Sequence, residues 1–575
     1  INMWYITNIN HTSLKTQIIL ERYYVYFSKE SESLTNFEEK WILQGHIFPR
    51  TYVDKHYDQF NGVELIENLY LKYGDDFIKH VKGQFVVVHL LQDSFKIYSD
   101  HFAIRKFFFW QENDKFIISD DLKVISEVVK LTPSRESIAN YAIDYHFTGG
   151  TTAFENVYHN QPAEIIEYKN NGLHSSSYWN PADLLSLKQS NVNIRDISVS
   201  LSEAVDNGLN LINNDKISLS LTGGADTRNL LAVFLSKGLK PHLYTYGNPA
   251  SADCLKSKAI AYGLGLNHSI HNISMTSQLF EEYARKIIRL EGGLTSIHRA
   301  HRIIAVENEK QFADNMFLGT LGGEFIKGVT EDDYIVPSIV YNNWNTSDFT
   351  KDQLITYLQK KHIKPDNLNL ENLLSLVRSQ PYMNGDVICR KFSSLTYITA
   401  HLHDAQDVNL YRSVMDDVFT PFLDIDYLEL IFSSKYTFNN KERIENKYLR
   451  RINNPVYASN FLKVTYPPLT KFLYSGDHKP SEVLFNKYFA AVSKMIRQKT
   501  VGKYEPNFPL TSWIVEFVEK NLPLCYNSKV LSEVFDLYGL MIELKKGDHM
   551  AKESYWLKFT NPIMMYYLIE EFTYE

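Results

Sequence analysis

The residues Lys216-Ile217-Ser218-Leu219-Ser220-Leu221-Thr222-Gly223-Gly224-Ala225-Asp226-Thr227-Arg228 run from a short apolar strand, through two glycines, into the start of a helix. Glycines without side chains let backbone N–H groups approach an anion closely. The positive end of the following helix stabilises that charge, and the hydroxyls of Ser220, Thr222 and Thr227 supply further donors. Asp226 is spaced to hold a Mg²⁺ ion that neutralises the same phosphates. Together these residues point to a polyphosphate site beyond the carboxyl end of a parallel strand. No lysine follows the glycines, so this is not the GxxxxGK[ST] loop.

Other chemistry-bearing groups are weaker. His298 and His301, in Ser296-Ile297-His298-Arg299-Ala300-His301-Arg302, sit three apart among positive charges that would repel a cation. An exposed helix is the first expectation for them, and a basic patch facing phosphate or substrate the second. His401-Leu402-His403-Asp404 lacks the HExxH spacing of a zinc site. The three cysteines, Cys254, Cys389 and Cys525, are far apart and odd in number, which excludes a disulfide framework or a CxxC zinc pair.

Composition bounds the whole. In 575 residues, 44% hydrophobic and 22% charged, two to four domains are expected and long disorder is not. Sixty Lys+Arg against 67 Asp+Glu leave a net charge of −7, so no nucleic-acid partner is expected. The longest apolar stretch, 85–91, is strand-sized, and no membrane span or membrane partner is expected. The start lacks the pattern of a secretory signal, Met3 reads as the natural first residue after an artificial Ile1 and Asn2, and a cytoplasmic location fits best.

The elements that must position these groups change character along the chain. Strands at 85–91, 95–99, 106–110 and 115–119, joined by short polar turns, predict an antiparallel meander. A helix at 63–73, stopped by Gly74, packs beside it. Serines, a proline and lost periodicity at 172–183 mark a boundary near 185. Beyond it strands at 217–221, 242–246 and 315–318 alternate with helices at 227–237 and 252–264, which predicts a parallel sheet covered by helices. From about residue 331 the chain reads as mainly helical.

The loop Thr222-Gly223-Gly224-Ala225-Asp226-Thr227 resembles the SGGxDS pyrophosphate loop of the asparagine synthetase family, which includes the lasso-peptide cyclases and β-lactam synthetases. Further landmarks follow in the family's order. Lys82-Gly83-Gln84-Phe85 and Ser99-Asp100-His101-Phe102-Ala103-Ile104-Arg105 resemble its RGMFAF and DPFGIR elements, and Ser177-Tyr178-Trp179-Asn180-Pro181 its inter-domain link. Pro421-Phe422-Leu423-Asp424 and Lys447-Tyr448-Leu449-Arg450 resemble PFLD and KxxLR. The resemblance implies an α+β sandwich of the Ntn-hydrolase type over 1–185. It also implies an α/β ATP-pyrophosphatase domain with a helical C-terminal part over 186–575. ATP and Mg²⁺ are the implied cofactors. Tyr246, Gly247, Leu318 and Gly319 would wall the adenine pocket, and Lys447 would reach the reacting phosphate.

The departures from the family sharpen the expectation. Trp4 follows Met3 where glutamine-using members place their nucleophilic cysteine, and an indole cannot supply thiolate chemistry. Gln44, in Gln44-Gly45-His46-Ile47-Phe48, replaces the oxyanion-hole asparagine, and Gly62 replaces the substrate-gripping aspartate. Leu318-Gly319-Thr320-Leu321-Gly322-Gly323-Glu324 stands where the family reads SGEGADE, so Thr320 and Gly323 replace two carboxylates and Glu324 alone is left for metal or base duty. The expected activity is adenylation of a carboxylate and its coupling to an amine not taken from glutamine. A peptide macrolactam or small-molecule amide synthetase of specialised metabolism fits that description. An ammonia-dependent amidotransferase of a sugar or amino acid, and a non-catalytic decayed synthetase, remain as alternatives. The partners implied are a carboxylate- and amine-bearing substrate, a precursor peptide with its peptidase and leader-binding protein as one candidate set, and a second copy as a homodimer.

Overall fold

The computed structural model describes residues 4–11, 18–19, 22–27, 40–187, 190–212, 216–327, 349–437, 447–500, 504–506, 510–547 and 553–573. Eleven strands build the N-terminal part: β1 Trp4–Thr7, β2 Ile18–Ile19, β3 Tyr24–Phe27, β4 Lys40–Pro49, β5 Val81–Leu90, β6 Phe95–Ser99, β7 Phe108–Glu112, β8 Lys115–Ser119, β9 Val157–His159, β10 Glu164–Lys169 and β11 Gly172–Ser177. They form two antiparallel sheets, ordered β2-β3-β1-β8-β7-β9 and β11-β10-β6-β5-β4. The predicted meander is thus corrected: β6 and β7 do not pair, and the chain changes sheets between them.

The buried carboxylate of Asp100 makes that corner. It accepts from the backbone N–H groups of Phe102, Ile104 and Arg105 on one side and of Phe85 on the other. Alternating strand residues such as Trp4, Ile6, Val86, Val88, Ile97 and Ile118 fill the space between the sheets. Helix α1 (Gly62–Tyr73) covers the outer face of the five-stranded sheet with Leu65, Ile66 and Leu69. Helix α2 (Leu122–Val128) lies on the six-stranded one, and α3 (Arg135–Asp144) packs beside the helices Leu370–Ser379 and Glu553–Phe572. Two antiparallel sheets packed face to face, with helices on their outer faces, make the layered α+β arrangement of this part. Strands β4 and β5 approach so closely that a Cβ at Gly45 would lie 2.0 Å from the Gln84 carbonyl oxygen, and one at Gly83 2.1 Å from that of His46.

The C-terminal part is built on β12 Ile217–Ser220, β13 His242–Tyr246, β14 His268–His271, β15 Asn315–Phe317 and β16 Asp417–Phe419, all parallel in the order β14-β13-β12-β15-β16. Helices α4 (Ile194–Leu209), α5 (Asp226–Ser236), α6 (Ala252–Leu264), α7 (Ser277–Glu291) and α8 (Ala300–Glu309) accompany the sheet. The glycine loop follows the central strand β12. Strand ends shift from the sequence expectation by a residue or so: β12 stops at Ser220, and α5 begins at Asp226. Edge strand β16 lies against β4 and β5. There Gln84 donates to Thr420 Oγ1 at 2.5 Å, and Lys82 pairs with Asp424 and Asp426 at 3.0 and 2.8 Å. Among the described residues no helix is long and apolar enough to cross a membrane.

Candidate functional site

The 222–227 loop folds on itself through short-range bonds. The hydroxyl of Thr222 accepts from Gly224 N–H at 3.1 Å, and that of Thr227 from Thr222 N–H at 3.3 Å. Gly223 N–H donates to the Asp253 carboxylate at 3.1 Å, from the first turn of α6. The amides of three successive residues, Thr222, Gly223 and Gly224, thus each donate to a side-chain oxygen. Behind the loop, the buried Arg228 donates to the carbonyls of Phe472 at 3.0 Å and Leu473 at 2.7 Å, and more weakly to Gly223. Its guanidinium lies 4.5 Å from the centroid of the Tyr474 ring, and burial lowers its pKa to about 10. Ser475 N–H completes the clamp by donating to the Gly223 carbonyl at 2.7 Å. Sequence reasoning missed Asp253 and Arg228. The capped start of α6 after Gly247 was the available signal for the first, and a charged residue inside an apolar helix run for the second.

The facing wall is the 318–324 segment after β15. A Cβ at Gly319 would stand 2.8 Å from the Cα of Thr227, so only glycine lets the end of β15 meet the start of α5. A Cβ at Gly322 would touch Asp226 Cβ at 2.9 Å, and one at Gly323 would stand 2.8 Å from Asp226 Oδ1. The Asp226 carboxylate is therefore packed against the two glycines that replace Ala and Asp of the family motif. Glu324 opens the short α9 (Glu324–Lys327) just beyond and is buried. Burial above all holds the hydroxyls of Tyr427 and Tyr457 above their ordinary range, with the neighbouring Tyr427 next for Tyr457 and the Asp226 charge a smaller contribution to both. Tyr474 is pushed up to about 12, mainly by burial. A glycine-lined loop with a carboxylate at its mouth fits Mg·ATP.

The remaining expected residues divide. Gly247 closes β13 by donating to the His271 carbonyl at 2.9 Å, and the half-buried Tyr246 stands between the charges of Asp253 and of Arg302 with Asp407. Leu318 is core, its N–H donating to Phe419 at 2.9 Å. The Ser220 hydroxyl bonds Tyr244 on the neighbouring strand, so it is not brought to the loop amides. Lys447 opens the helix Lys447–Thr465, and its side chain lies outside the described residues.

His298 and His301 correct the sequence reading: both are buried, at 4% exposure, rather than displayed on a free helix. Between them Arg299 donates to the His403 carbonyl at 3.1 Å and to Asp407 at 3.2 Å, and Arg302 also pairs with Asp407. His403, Asp404 and Asp407 bring ligand atoms within 4.8 Å of one another. Two guanidinium groups already neutralise that cluster. Burial pushes the Asp407 carboxyl up, but the arginines hold it down at about 2. Asp404, where burial dominates, is raised to about 7.

At the N-terminal site, Trp4 is buried at the start of β1. Its indole N–H donates to Gln44 Oε1 at 3.2 Å, and the Gln44 amide donates to Asp120 at 2.9 Å. Asp120 also accepts from Trp4 N–H at 3.0 Å, and burial raises its carboxyl to about 7. Beside this plug opens a cavity of about 1010 Å³ lined from both parts of the chain, by Trp4, Gln44, Gly62 and Arg105 on one side and Asn207 and Asp417 on the other. Burial pushes Asp417 up, but His46, Arg412 and Arg105 hold it at about 2.

The structure is thus a two-part molecule, a two-sheet antiparallel sandwich joined to a parallel α/β sheet with a glycine loop after its central strand. Comparison with known families agrees for the first part: residues 50–179 match the glutamine amidotransferase domain. Among solved structures, glutamine phosphoribosylpyrophosphate amidotransferase from B. subtilis, complexed with ADP and GMP, aligns at 10% identity. It covers 67% of this chain and 88% of its own, with a TM-score of 0.22. A structure described as the allosteric regulatory enzyme of purine biosynthesis aligns at 9% identity over 62% and 82%, also at 0.22. Scores that low bear no weight on the fold. No curated protein matches the chain.

Proposed function

We propose that the protein is an AMP- and pyrophosphate-forming amide ligase of the asparagine synthetase-like kind, using an amine that this chain does not release from glutamine. The observation that carries the reading is the Thr222–Thr227 loop closing on the central parallel strand, with Asp226 fitted against Gly322 and Gly323. In this reading the loop amides and the hydroxyls of Thr222 and Thr227 hold the phosphates, exchanging their local partners for phosphate oxygens. Asp226 and Glu324 would hold Mg²⁺, which would supply positive charge to neutralise the phosphates. A substrate carboxylate attacks the α-phosphorus and pyrophosphate leaves. The amine then attacks the acyl carbon and AMP leaves. Lys447 stabilises the charge that develops on the departing groups.

Trp4 supports the second half of the proposal. The position that would hold a thiolate holds an indole hydrogen-bonded to Gln44, and Gly62 offers no carboxylate to clamp a substrate amine. The test is pyrophosphate exchange into ATP against a panel of carboxylates and peptides. Exchange that depends on one carboxylate, with AMP formed when an amine is added, is expected. ATP cleavage to ADP, or failure to bind Mg·ATP, overturns the reading.

A further inference from the structure

Helix Lys487–Thr500 is mounted inside out. Its apolar side chains Tyr488, Phe489, Val492, Met495 and Ile496, with Phe485 just before it, recur at helical spacing, the pattern of a core-facing stripe. All six are instead between 51% and 80% exposed. The face turned to the protein is Ala490, Ser493, Lys494 and Arg497. Arg497 fastens it, donating to Glu482 at 2.8 Å and to the Asp477 carbonyl at 3.0 Å. Leaving such a stripe in water forfeits the burial that stabilises ordinary surface helices, and so large an exposed apolar patch marks an interaction site.

What covers it follows from shape and charge. From Tyr488 to Ile496 the stripe is a ridge about 12 Å long at the helical rise, with no polar group inside it except the Tyr488 hydroxyl. It offers a protein partner little directional recognition. The helix holds Lys487, Lys494, Arg497 and Lys499 and no acidic residue, although the chain carries a net −7. Lys487 and Lys499 are exposed beside the stripe. A second copy would set these lysines against their equivalents. An anionic bilayer accepts a ridge of Phe, Tyr, Val, Met and Ile at its acyl boundary and attracts flanking lysines to its headgroups. We propose that Phe485 and helix Lys487–Thr500 seat the protein on an anionic lipid surface, in the plane of the interface. The sequence expectation of no membrane partner rested on spanning segments, which this mode does not use. The inference is independent of the proposed ligase activity.

Flotation of the full chain with phosphatidylcholine vesicles, with and without about one-third phosphatidylserine, tests it. Binding to the anionic vesicles that weakens with added salt is expected. Val492→Glu/Ile496→Glu, at exposed positions, should weaken it by about tenfold or more while leaving the thermal melt unchanged. Phe489→Trp should show a blue-shifted emission on vesicle addition. Absence of flotation, equal flotation of the double variant, or a dimer at sizing that the double variant dissolves overturns the proposal. The last outcome would assign the stripe to a second copy.

Discussion

Gly323→Ala perturbs the candidate ATP site by one methyl group whose effect can be worked out in advance. Gly323 has an ordinary negative φ, so alanine brings no backbone strain. Its Cβ would stand 2.8 Å from Oδ1 and 3.0 Å from Oδ2 of Asp226, well inside the roughly 3.5 Å of an unstrained contact. The carboxylate must move by about half an ångström, and since a 1 Å misplacement costs about a hundredfold, roughly tenfold is expected here. That loss corresponds to about 1.4 kcal/mol in the barrier to pyrophosphate exchange. Asp226→Asn keeps the position and removes the charge, with an expected loss of about 10²–10³ in the rate of pyrophosphate exchange. Titration of each variant with a fluorescent ATP analogue, with and without Mg²⁺, reads the two effects apart. The Mg²⁺ dependence should survive, displaced, in Gly323→Ala and disappear in Asp226→Asn. Wild-type affinity and Mg²⁺ dependence in both variants would refute the assignment of Asp226 to the metal and the phosphates.

Arg228→Met should destabilise the fold by about 3 kcal/mol in chemical denaturation, because it strips the donors from the Phe472 and Leu473 carbonyls in a buried site. Asp404 has a folded pKa near 7, above its ordinary value, so its favourable contribution is complete below about pH 4 and is lost as pH rises to about 7. The stability of Asp404→Asn relative to wild type should therefore climb across that window, and a flat difference would contradict it. Lys447→Met should lower kcat while leaving the KM for ATP nearly unchanged; the reverse split would make Lys447 a ground-state ATP ligand. The purified protein should release no glutamate from glutamine in a coupled assay, and release that survives replacement of Cys254, Cys389 and Cys525 would defeat the reasoning from Trp4.

Local chemistry was the legible part of the sequence. The strand–Gly-Gly–helix unit, the Gly74 stop of α1 and the alternation through β13 and α6 rest on short-range periodicity and turn residues, and they stand within a residue or two of expectation. Tertiary choices were not legible. Nothing in a run of strands says that Asp100 will gather four backbone amides and send the chain to another sheet. The Arg299–Asp407–Arg302 cluster joins residues a hundred positions apart, so its histidine neighbours looked solvent-exposed. Helix Lys487–Thr500 shows the limit from the other side. Its periodicity is that of a buried helix, and only the packing of Ser493, Lys494 and Arg497 reveals that the stripe faces out.

The contact of β16 with strands β4 and β5 bears on how the two parts of the chain depend on one another. Edge strands with free backbone groups invite other strands to pair with them. Here the edge is walled off by β4 and β5, while Lys82 and Arg50 neutralise Asp424 and Asp426 across the seam. Removing the sandwich would bare the end of the parallel sheet and strand several carboxylates without counter-charges. The N-terminal part thereby shields the edge of its neighbour's sheet, and a chain shortened to the C-terminal part is expected to aggregate more readily than the whole.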